Sequence, residues 1–143
     1  MPTLNPYLNF PGNTEDAFNF YKSVFGGEFP AVMRWKDIPK EMQGAGEMKE
    51  GQGEKIMHIA LRVGKNNMLM ATDSLDGKLV AGNNFTISIT PDSKEEADKL
   101  FVGLSAGGKV TMPMDNAFWG DYFGMLKDKF GIAWMISFRP AQG

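Results

Sequence analysis

Hydrophobic and polar positions alternate along residues 55–63, where Met57, Ile59, Leu61 and Val63 interleave with His58, Ala60 and Arg62. The same period of two runs through residues 84–90, with Phe85, Ile87 and Ile89 against Asn84, Thr86, Ser88 and Thr90. Strand side chains point to opposite faces in turn, so each run predicts a strand with one covered face and one open face. A different period marks two other segments. Ala17, Phe18, Tyr21, Val24 and Phe25 share one helical face, as do Ala97, Leu100, Phe101 and Leu104, the spacing of an amphipathic helix lying on a sheet.

These elements belong to a duplicated plan. Residues 7–24 match residues 87–104 without a gap, setting the run Tyr7, Leu8, Asn9, Phe10, Pro11 against Ile87, Ser88, Ile89, Thr90, Pro91. Each run reads as a strand closed by a proline, which cannot continue the hydrogen-bonded ladder. Asn13 stands where it can cap the first helix, and Ser93 with Glu96 forms a capping box for the second. Glycine pairs, Gly26 with Gly27 and Gly107 with Gly108, end both helices. Further strands are predicted over residues 29–35, 55–63 and 67–72 in the first half, the last two joined as a hairpin through Gly64, Lys65 and Asn66. Residues 109–112, 122–127 and 132–138 supply the second half. The chain therefore reads as α+β, one domain over residues 1–143 built from two βαβββ modules, about 1–78 and about 79–143. Residues 36–52 have no counterpart in the second half and read either as a lid or as a disordered excursion.

With helices on one side only, the other face of a curved mixed sheet becomes a cup. Its predicted lining includes Tyr7, Asn9, His58, Arg62, Thr86 and Ser88. The segment from Phe118 to Gly124 places four aromatic residues around one acid. Trp119, Asp121 and Tyr122 join the candidate ligand-binding residues, while Phe118 and Phe123 read rather as packing at a seam. His58 is the candidate base for metal-free acid/base chemistry. Ser88 has no neighbouring acid and histidine pattern that would make it a nucleophile.

Composition narrows the partners. Fifteen basic against seventeen acidic residues give a net charge of -2, which offers no excess positive charge to follow a phosphate backbone, so no nucleic acid is expected. The absence of cysteine closes disulfide and thiolate chemistry. No apolar run approaches a membrane span and no signal-sequence pattern opens the chain, so a cytoplasmic protein without a membrane partner is expected. The eleven methionines read first as core filling and second as the lining of an accommodating pocket.

The stretches from Tyr7 to Glu28, His58 to Asp73 and Phe118 to Ser137, the last containing Asp128-Lys129-Phe130-Gly131 and Trp134-Met135-Ile136, resemble the PhnB-like branch of the vicinal oxygen chelate superfamily. That superfamily holds glyoxalase I, the bleomycin-resistance proteins and the extradiol dioxygenases. The resemblance implies paired βαβββ modules, a ligand in the cup and commonly a homodimer. It also implies metal ligands at about Asn5 or Pro6, Met70, Asn84 or Phe85, and Met135. None of these is His, Asp or Glu, and thioethers do not suit hard divalent ions. The reading is thus a protein that binds a small molecule, with no cofactor expected. The alternative is a metal-dependent lyase or dioxygenase with an unusual site near His58, Asp73 and Asp121. A demethylubiquinone methyltransferase label attached to the branch finds no glycine-rich strand-to-helix turn to support it.

Overall fold

Period-two segments pair into two sheets, each with a helix laid on one face. The structure is a computed structural model that describes residues 2–39 and 51–140. Strand β1 (Tyr7–Phe10) leads into helix α1 (Thr14–Phe25), followed by β2 (Ala31–Arg34), β3 (Ile56–Val63) and β4 (Asn67–Asp73). The second half runs β5 (Ile87–Ile89), α2 (Lys94–Ser105), β6 (Lys109–Asn116), β7 (Tyr122–Lys127) and β8 (Ala133–Phe138). The sheet orders are β1-β4-β3-β2 and β5-β8-β7-β6, and in each only the first pair is parallel. The halves form two compact units, Met1–Val80 and Ala81–Gly143. Residues 40–50 of the expected lid lie outside the described residues; its flanks, Trp35–Asp37 and Gln52–Glu54, are single turns of 3-10 helix.

In the first unit Leu8, Phe10, Ile59, Leu61, Leu69 and Ala71 are buried beneath Ala17, Phe18 and Tyr21 of α1, whose Val24 and Phe25 are half-buried. In the second, Leu126, Trp134 and Ile136 lie under Ala97, Leu100, Phe101 and Leu104, the four positions that the helical spacing selects. Both helices stop at left-handed glycine, with Gly26 at φ 73° and Gly107 at φ 75°. Gly27 has a second reason to be glycine: a Cβ there would stand 2.6 Å from the Arg62 carbonyl oxygen.

Several details depart from the sequence reading. Asn13 holds the cap position but makes no side-chain cap bond; Asp73, at the end of β4, accepts from the Thr14 amide at 3.0 Å instead. The alternation of β3 breaks at Met57, because Met33 pairs with His58 and Arg34 with Ile56, a bulge that buries Ile56 rather than Met57. Strand β5 is three residues long rather than seven, and Phe85 is 53% exposed instead of facing a helix. This short β5 is an edge strand paired only with β8 within its unit. Strand β6 runs on through Pro113 to Asn116, which an edge strand allows because the missing N–H need not face a neighbour. Finally, the repeat is offset by one residue within itself. Leu8 and Phe10 share the helix side with Ala71 and Asp73, whereas Ile87 and Ile89 share it with Trp134 and Ile136, so the turn into α2 is one residue longer.

Candidate functional site

The helix-free face of the first sheet is fixed by its register. Tyr7 pairs with Met70, Met70 with Ala60 and Ala60 with Ala31, while Asn9 pairs with Thr72 and Met33 with His58. Arg62 lies opposite Met68 on the same face. No carboxylate stands among these positions. The Tyr7 ring reaches over β4 to stack on the His58 imidazole, with centroids 5.8 Å apart and planes inclined by 26°. The structure thus brings two predicted residues into contact. Asn9 and Arg62 are exposed on that face. Ala60, at 5% exposure, forms a small floor between Tyr7 and Met33.

The second unit gathers a different group. Asp121 Oδ2 accepts from Trp119 Nε1 and from Ser137 Oγ, both at 3.1 Å, and Oδ1 accepts from Arg139 Nε at 2.6 Å. Arg139 beside it, helped by Ser137 and Trp119, holds the Asp121 carboxyl below its ordinary value. The clamp fixes an aromatic ladder, Phe118 edge-on to Trp119 at 5.0 Å and Trp119 to Phe123 at 5.4 Å. Phe118 is 98% exposed, so it packs at no seam within its unit. Ser88 lies on the helix-free face, in line with Met135 and Met125, and is exposed. Tyr122, read together with Trp119 and Asp121, is separated from them: alternation along β7 turns it to the helix side. There its hydroxyl donates to Asp98 of α2 at 2.5 Å and Lys94 sits over its ring. The Asp98 carboxylate raises the Tyr122 pKa. Sequence reasoning missed Ser137 and Arg139, although extending the alternation of β8 past Ile136 would have put Ser137 on the open face. It also missed the position of Met33 opposite His58, which depends on the register of β2 against β3.

The residues named for the alternative metal site do not share one face. Asp73 is 2% exposed on the helix side, and its Oδ1 accepts from the Thr14 amide and, at 2.6 Å, from Thr14 Oγ1, while Oδ2 accepts from the Ile56 amide at 2.8 Å. His58 lies on the opposite face of that sheet, and Asp121 belongs to the other unit. Among the described residues no group of three or more His, Asp or Glu side chains converges. The positions where the resemblance implies ligands carry no His, Asp or Glu: Asn5 Oδ1 accepts from the Met68 amide at 3.0 Å, and Met70 and Met135 offer thioethers. Among the described residues, those named for the implied and the alternative sites do not present the converging hard donors that a divalent ion takes. A cleft of 690 Å³ opens at the turn into α1, lined by Gly12, Asn13, Lys55 and Ser74 among others. It holds none of the candidate ligand-binding residues, and the Lys55 ammonium is committed to the Gly12 carbonyl at 2.8 Å. No helix among the described residues is long and apolar enough to cross a membrane.

Comparison with known proteins places this geometry. The family described as 3-demethylubiquinone-9 3-methyltransferase matches residues 2–137. Protein YjdN of Escherichia coli K12 is 32% identical over 141 residues, covering 96% of this chain and 95% of that protein. The crystal structure of protein PA1353 from Pseudomonas aeruginosa is 37% identical, with a TM-score of 0.84 over 97% of this chain and 98% of that one. Two more distant structures share the fold. One is a putative 3-demethylubiquinone-9 3-methyltransferase, PhnB protein, from Bacillus cereus, at 24% identity and TM-score 0.73 over 96% and 99% of the two chains. The other is a glyoxalase/bleomycin resistance protein/dioxygenase family enzyme from Burkholderia phytofirmans, at 19% identity and TM-score 0.62 over 94% and 97%.

Proposed function

We propose that this chain, which belongs to the PhnB-like branch of the glyoxalase/bleomycin resistance/dioxygenase superfamily, binds a small organic molecule on the helix-free face of its first sheet, without a catalytic divalent metal. The observation that carries the reading is the Tyr7–His58 stack. An apolar floor of Ala60, Met33 and Met70 surrounds one imidazole, with Asn9 and Arg62 on the same face, the mixture of apolar lining and few polar groups that small-molecule sites use. Methyl transfer, which the family and the Bacillus cereus protein are named for, has less support. Each sheet carries a single parallel pair instead of a doubly wound parallel core, and the N-terminus of α1 is already filled by the Asp73 carboxylate. The metal-dependent lyase or dioxygenase reading is weaker still, since Asp73 and His58 lie on opposite faces of one sheet.

Thermal-shift screening of a metabolite library tests the proposal, because a ligand that binds only the folded state raises Tm. We expect hits whose affinity falls at least tenfold in both Tyr7→Ala and His58→Ala. Hits that bind both variants as tightly as the parent chain refute this location. The same reading includes a homodimer, supported by the open edges of the short sheets within each unit. A monomer in sedimentation at micromolar concentration refutes that part.

A further inference from the structure

The face that carries His58 is rich in sulfur. Met33 on β2 is the direct cross-strand partner of His58 on β3. Met70 on β4 is the direct partner of Ala60, one alternation along the same face, and on its other side of Tyr7. Direct partners hold their Cβ atoms about 5 Å apart and diagonal ones about 7–8 Å, which unbranched methionine side chains span. Met33 is 42% exposed, and His58 and Met70 are half-buried, so all three are reachable from solvent. Tyr7 stacks on the face of the imidazole, whereas a metal would approach a ring nitrogen in the plane of the ring, a direction that a face-on stack does not cover.

Donor chemistry selects the cation. The chain has no cysteine and one histidine, so thioether and imidazole are its soft donors, and among the described strand positions of this face no carboxylate favours a hard ion. Thioether sulfur selects Cu(I), and imidazole suits copper as well. We propose that Met33, Met70 and His58 form a binding site for a soft monovalent cation, Cu(I). The site does not rest on the organic-ligand reading, since its probe is the metal alone, and either can fail while the other stands.

The experiment is calorimetric titration of the whole chain with Ag(I), a redox-inert mimic, in chloride-free buffer. It is repeated with Cu(I) under anaerobic conditions against a chromophoric Cu(I) chelator. One equivalent binds in the parent chain, and Zn(II) gives no saturable heat. Affinity falls at least tenfold in the Met33→Leu/Met70→Leu double variant and in His58→Asn. Leucine keeps the volume of methionine, so the double variant retains the fold, which circular dichroism checks. Peroxide footprinting gives a second readout: bound Ag(I) protects Met33 and Met70 from sulfoxide formation, while Met112, 47% exposed in the other unit, stays reactive. Absence of binding at micromolar protein, unchanged affinity in the double variant, or equal oxidation of Met33 and Met70 with and without Ag(I) overturns the proposal.

Discussion

Asp73→Ala should be among the most damaging single substitutions in the first unit. The side chain is 2% exposed and accepts three hydrogen bonds, from the Thr14 amide, the Thr14 hydroxyl and the Ile56 amide, and both of those residues are buried as well. Alanine leaves two buried N–H groups and a buried hydroxyl without an acceptor, each amide costing about 1–3 kcal/mol. It also removes the capping carboxylate of α1, so the total is about 3–5 kcal/mol, a large part of a domain's usual stability of about 5–15 kcal/mol. Asp73→Asn keeps one acceptor oxygen but turns an NH₂ group toward a buried amide, and should cost about 2 kcal/mol. Asn13→Ala is the decisive control. Asn13 occupies the cap position without bonding, and its Oδ1 is buried with no partner, so its loss should change stability by less than about 0.5 kcal/mol. Urea unfolding monitored by far-UV circular dichroism measures all three through the midpoint at constant m. If Asn13→Ala costs about 1 kcal/mol and Asp73→Ala less than that, the assignment of the cap to β4 is wrong.

Three further outcomes are expected. Ser93→Ala should cost about 1 kcal/mol in the same assay, because Ser93 Oγ accepts from the Glu96 amide at 3.0 Å, and a neutral result would refute that cap. Gly124→Ala should destabilise by about 1–3 kcal/mol by overpacking, since its Cβ would lie 2.6 Å from Met114 Sδ and 2.9 Å from Phe101; a neutral Tm would mean that both side chains give way. The Asp121 carboxyl lies below its ordinary value because of Arg139, so the clamp is complete at and above that value and releases as pH falls through the depressed one. Trp119 emission, taken as a difference against Trp119→Phe, should therefore change only under acid conditions. Arg139→Gln should move that midpoint upward, and an unmoved midpoint refutes the clamp.

The residues that the sequence made legible are those whose environment repeats every two or every three to four positions. The buried positions of α2, the strand character of β3, β4, β7 and β8, and the shared face of Tyr7 and His58 all follow from such local spacing. What stayed hidden depends on one residue's relation to a distant one. Asp73 alternates like Leu69 and Ala71 and so takes a core position, but its partner Thr14 is 59 residues away, and no local pattern announces a carboxylate that caps a helix from the end of another strand. The bulge at Met57 turns Ile56 to the buried side and cannot be seen without β2 beside it, and neither can the register of β2 on β3 that sets Met33 opposite His58. The ungapped repeat misled for a related reason. It is correct within the helices, while the strands before them are shifted by one residue, and a shift of one reverses every side chain in a strand. Tyr122 shows the same reversal within a motif. Residues adjacent in FWGDYFG point to opposite faces once β7 begins, so a cluster that is dense in sequence divides into an aromatic clamp on one side and a helix contact on the other. Proximity along the chain identifies candidate chemistry, but strand parity decides which candidates meet. That parity makes Tyr7, His58, Met33 and Met70 one face and leaves Asp73 behind it.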